Sequence, residues 1–113
     1  MRKHIIENAA YEVATQTRAV EDIIESALIE LAELQTKVIR VSSVAGVCYS
    51  TLQDCFERVA ATTHDLVKAR GTMAECHVAM AEAKQKIPGL RTVSWGDDGD
   101  CPKIAQSDLR IVA

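Results

Sequence analysis

One heptad stripe constrains this chain more than any other feature. Stepping alternately by four and three residues from Ile6 gives Ala10, Val13, Thr17, Val20, Ile24, Ala27, Leu31, Leu34, Val38, Val41, Ala45, Cys48, Leu52, Cys55, Val59, Thr62, Leu66, Ala69, Met73, Cys76, Met80, Ala83 and Ile87. Of these 24 positions 22 are apolar, and the exceptions are Thr17 and Thr62. A 3.5-residue repeat of that length draws one apolar seam along a helix, and the seam needs a second helix to cover it. Glycine and proline are scarce and aromatic residues make up only 4% of the 113, which favours helix over sandwich or barrel. The fold class expected is all-α.

Pro88-Gly89 ends the stripe, because proline disfavours the helical conformation of the residue before it and glycine commonly follows a helix end. The chain therefore divides into residues 1–87, a helical unit, and residues 88–113, a short irregular C-terminal tail. Within the unit, Ser42, Ser43 and Gly46 are breaker-like and lie close to the stripe's midpoint. A turn near 41–48 makes a long αα-hairpin with heptad packing, in which residue i faces roughly residue 93 − i, so that Glu21 faces Arg70. The alternative, one straight helix of about 120 Å pairing between chains, is uncommon in small domains.

A hairpin this rich in alanine has a thin core, and Ile23, Leu28, Tyr49, Phe56 and Val67 flank its stripe without cover. The expected remedy is a homo-oligomer, a dimer forming a four-helix bundle, with another helical protein as a further possible partner. The uncharged window from Val41 to Gln53 is the leading interaction candidate, because exposed helical tips ordinarily carry charge. Val41, Val44, Val47, Tyr49 and Leu52 in that window, together with Leu28 and Phe56, form the candidate interaction set.

Several function classes are disfavoured. A formal charge of −3 without a lysine and arginine patch argues against a nucleic-acid partner. The uncharged window is too short to span a bilayer, which takes about 20 apolar residues. The basic start at Arg2 and Lys3 does not lead into a signal peptide, because Glu7 and Glu12 interrupt the apolar segment such a leader needs. No membrane partner is expected, and a reducing, cytoplasmic compartment is inferred, with the cysteines as free thiols. Cys48, Cys55 and Cys76 are read as small inward-facing core residues. His64 and His77 are read as flank residues, solvated or hydrogen-bonded and not catalytic, and Asp97, Asp98 and Asp100 as a solvated acidic turn after a short strand-like alternation at Thr92 to Trp95.

The chain contains no E-x-x-H, H-E-x-x-H, phosphate loop or G-x-S-x-G. No catalytic residue, metal ligand or cofactor is assigned, and the chain is not expected to be an enzyme. The function expected is that of a non-enzymatic, self-associating helical interaction protein: an adaptor, a chaperone-like subunit or a scaffold. The alternative is a small regulatory or ligand-binding helical bundle with its site between helices, near Tyr49, Phe56 and the stripe cysteines.

Overall fold

The computed structural model describes residues 2–97. They form two long helices, α1 (Arg2–Ala45) and α2 (Gln53–Lys84), joined by a turn and a single 3-10 turn at Tyr49–Leu52. Among the described residues there is no strand, so the alternation at Thr92 to Trp95 does not become one. It lies instead in a return segment, 85–97, that folds back onto the two helices at the end opposite the turn.

The 44 residues of α1 contain neither glycine nor proline, which lets the helix continue without a break. Its end charges do nothing for it: no acid lies in the first turn and no base in the last. A helix with such ends is held by packing along its length. It stops where Gly46 adopts φ +63°, a left-handed conformation that glycine accepts without a Cβ penalty. Cys48 is extended, and the N–H of Thr51 donates to its carbonyl at 3.0 Å to open the 3-10 turn. The reversal thus occupies the last part of the 41–48 window. α2 carries Asp54 in its first turn and Lys84 in its last, both suited to the helix dipole.

The helices run antiparallel, since Glu21 of α1 meets His77 of α2 while Glu25, four residues on, meets Arg70. These positions add to 98 and 95 instead of 93, so the partner of a given α1 residue is displaced by two to five residues along α2. Arg70 takes Glu25 at 3.3 Å, and Glu21 is released to His77. The cause is the linker: residues 46–48 and the 3-10 turn set the point of reversal later in the chain than Gly46.

On α1 the stripe is sheltered from Ile6 to Leu31 and again at Val38, while Leu34, Val41 and Ala45 are exposed. From the 3-10 turn along α2 the sheltered line is Leu52, Phe56, Val59, Thr63, Leu66, Ala69, Met73, His77 and Met80. Phe56, Thr63 and His77 therefore stand where the stripe placed Cys55, Thr62 and Cys76. Turning in Phe56 removes far more apolar surface from water than Cys55 could. Thr63 is tolerated there because its hydroxyl donates to the Val59 carbonyl of its own helix at 3.1 Å. The core reading of the cysteines is corrected accordingly: Cys48 and Cys55 are exposed thiols, and only Cys76 is half-buried. Cys55→Ala is expected to change the unfolding free energy by less than about 0.5 kcal/mol, as surface substitutions do, with urea denaturation as the check.

Among the described residues only Ala10, Leu90, Thr17 and His77 are buried. Ala10, Thr17, Leu90 and His77 come from α1, the return segment and α2, and they mark the end of the hairpin where the three meet. The rest of the hairpin is half-covered at best. Ile23, Ile29, Val67 and Val78 are each more than half exposed.

Candidate functional site

Two regions stand out, one at each end of the hairpin. At the turn, Val41 is 58% exposed, Val44 82% and Tyr49 96%, with Val47 also in solvent. No charged residue lies between Val41 and Gln53, so water meets a mostly apolar tip, with Lys37 and Arg40 on its α1 side. Leu52 and Phe56 are half-buried, as is Leu28 in the middle of α1. The seven candidate interaction residues thus divide into four at the open tip and three on sheltered faces. Tyr49, Val47, Gly46, Ile39, Gln53 and Phe56 line an open cleft of about 530 Å³ across the turn, with Ser42 and Ser43 on its α1 wall.

The opposite end carries a polar cluster that the sequence pattern does not gather. His77, expected on a helix flank as a solvated or hydrogen-bonded residue, is hydrogen-bonded and only 7% exposed. Its Nδ1 donates to the Gly96 carbonyl and its Nε2 lies 3.1 Å from the Glu21 carboxylate. One side chain of α2 thereby ties α1 and the return segment together. Thr17, directly beneath, satisfies its hydroxyl on the Val13 carbonyl at 2.8 Å.

Gly96 is placed there by geometry. With φ +107°, a Cβ at this position would lie 3.0 Å from the Met80 sulfur and 3.2 Å from Thr17 Oγ1. Only glycine allows the backbone so close. Next to it, the Trp95 indole N–H donates to the Met80 carbonyl at 3.0 Å, and the Trp95 backbone N–H donates to Asp97 Oδ1 at 3.2 Å.

Asp97 also departs from the solvated turn expected of it. Lys84 Nζ donates to its Oδ2 at 3.0 Å, and the two side chains are only 15% and 10% exposed. Burial is the largest single influence on the Asp97 carboxyl and pushes it up. The Lys84 hydrogen bond, the backbone N–H bonds of Trp95 and of Asp97 itself, and the Lys84 charge together outweigh it, leaving the group below the ordinary carboxylate range. Asp98, Asp100 and the apolar segment Leu109 to Val112 lie outside the described residues.

Chemically, the cluster is a clasp. Both ring nitrogens of His77 are engaged with oxygen partners, and the Asp97 carboxylate is already held by a lysine. The tip, by contrast, has exposed apolar surface and a cleft. The clasp has almost no local signal in the sequence, because Glu21, His77 and Gly96 are linked only through the folding of the return segment.

No protein-family model, curated protein or solved structure matches the chain.

Proposed function

We propose that the chain is a non-enzymatic, self-associating helical interaction protein that serves as an adaptor or scaffold subunit. One observation carries this reading: Ala10 and Leu90 are the only buried apolar residues among those described, while Ile23, Ile29, Val44, Val67 and Val78 stand more than half exposed along both helices. A folded chain with so little interior gains stability by covering such side chains, each worth about 1.5 to 3 kcal/mol when fully buried. Dimerisation into a four-helix bundle supplies that cover and leaves the tip around Val47 and Tyr49 for a helical partner. The exposed thiols of Cys48 and Cys55 suit a reducing, cytoplasmic compartment.

The test is the solution mass of the purified full chain by light scattering over a concentration series. Twice the 12.3 kDa of one chain, or a higher multiple, is expected. A folded monomer throughout would overturn self-association.

A second reading has its own support. The cleft lined by Tyr49 and Phe56 falls within the roughly 300 to 1,000 Å³ typical of small-ligand sites, which suits a regulatory or ligand-binding protein. A stoichiometric small molecule in native mass spectra, lost in Tyr49→Ala and Phe56→Ala, would favour it over the adaptor.

A further inference from the structure

Beside the face that α1 turns toward α2 runs a second line of residues at strict seven-residue spacing: Ile23, Glu30, Lys37 and Val44. All four are exposed, Ile23 by 65% and Val44 by 82%. Leu34, 46% exposed, and Val41, 58% exposed, lie alongside. Neither Glu30 nor Lys37 forms an ion pair with any described residue. They cannot serve each other within the helix, because seven residues put them about 10 Å apart along the axis, beyond the reach of neighbouring-turn pairs.

The line has a particular symmetry. Read forward it is apolar, acidic, basic, apolar; read backward it is apolar, basic, acidic, apolar. A second α1 laid antiparallel, with the two-fold axis between Glu33 and Leu34, brings together positions that add to 67. Ile23 then faces Val44 of the second copy and Glu30 faces its Lys37, and each contact occurs twice, as an isologous interface requires. Ser26 faces Val41 of the second copy, small against large. A parallel arrangement sets Glu30 against Glu30 and Lys37 against Lys37, which is repulsive, so the charges fix the direction as well as the seam. The wider charge distribution agrees. From Glu21 to Glu33 there are five acids and no base, and from Leu34 to Gln53 two bases and no acid.

We propose that a second copy of this chain packs antiparallel along this seam of α1, held by reciprocal Glu30–Lys37 pairs between the copies. The proposal rests on the self-association reading and names its surface, orientation and register.

Sedimentation velocity on the full chain tests it with four samples: the wild type, Glu30→Lys, Lys37→Glu, and an equimolar mixture of the two variants. The wild type is expected to dimerise. Each variant alone places like charges together at both contacts, and its dissociation constant should rise by at least about tenfold. In the mixture, every contact joins a lysine to a glutamate again, so a heterodimer of near wild-type affinity should form. Because the two positions do not touch within one chain, only pairing between chains can produce that rescue. A wild-type dimer whose affinity neither variant changes would overturn this seam while leaving self-association standing. Loss of the dimer in both variants without recovery on mixing would also overturn it. A wild type that stays monomeric would overturn both readings.

Discussion

His77→Ala is expected to lower the unfolding free energy by about 2 to 3 kcal/mol, a large part of what a chain with so small a core can hold. The substitution removes the side chain whose ring nitrogens meet the Gly96 carbonyl and the Glu21 carboxylate, and it leaves a void where a buried ring stood. Two effects are mixed in that figure, and His77→Phe separates them. Phenylalanine retains an aromatic ring in the space but donates nothing, so the half-buried Gly96 carbonyl loses its partner. If hydrogen bonding dominates, His77→Phe should destabilise nearly as much as alanine. A phenylalanine variant as stable as the wild type would show that the site needs volume only. Urea denaturation followed by far-ultraviolet circular dichroism gives the free energies. Trp95 fluorescence reports separately on release of the return segment, since the indole is anchored to the Met80 carbonyl.

The second large effect belongs to Lys84→Ala. Removing the lysine leaves the half-buried Asp97 carboxylate without its counter-charge and its charge-assisted hydrogen bond, a loss of about 2 kcal/mol. The double variant Lys84→Met with Asp97→Leu replaces the pair by apolar groups of similar size and should recover most of that loss, because neither charge then has to leave water. A double variant no better than the single one would show that the pair is not the source of the effect. The same carboxyl sets a pH dependence. Its value in the folded chain lies below the unfolded one, so its contribution is fully present above the unfolded carboxylate value of about 3.9 and is lost as the pH falls through the depressed folded value. Acid titration should therefore release Trp95 below about pH 4, and Asp97→Asn should flatten that step. An unchanged titration in Asp97→Asn would assign the acid transition to other carboxylates.

The hairpin was legible because its signal is periodic and local. Each apolar residue from Ile6 to Ile87 repeats the same message about one helix face, and Gly46 and Pro88-Gly89 mark where the helices must stop. The tip was legible for a related reason: a run from Val41 to Gln53 without charge is visible without any knowledge of neighbours, and the structure leaves Val41, Val44 and Tyr49 in solvent. Phase was harder. A strict seven-residue repeat placed Cys55, Thr62 and Cys76 inward where the structure shelters Phe56, Thr63 and His77, and a threonine that bonds its own helix and a histidine whose ring nitrogens both meet oxygens are acceptable inside.

Sequence alone determined the all-α class, the two helices and the region of reversal, because propensity, period and breakers act within a few residues of one another. Tertiary structure alone decided the register, which depends on how the 46–48 turn and its 3-10 extension close, and the rotation of α2 that exposes Cys55 and shelters Phe56. It also decided the clasp. Glu21, His77 and Gly96 lie 56 and 19 residues apart, and Lys84 and Asp97 lie 13 apart. Nothing local distinguishes any of the five from an ordinary surface residue. They acquire their roles only when the return segment folds back and removes water from between them, for a polar group is compelled to find a partner only once it is buried.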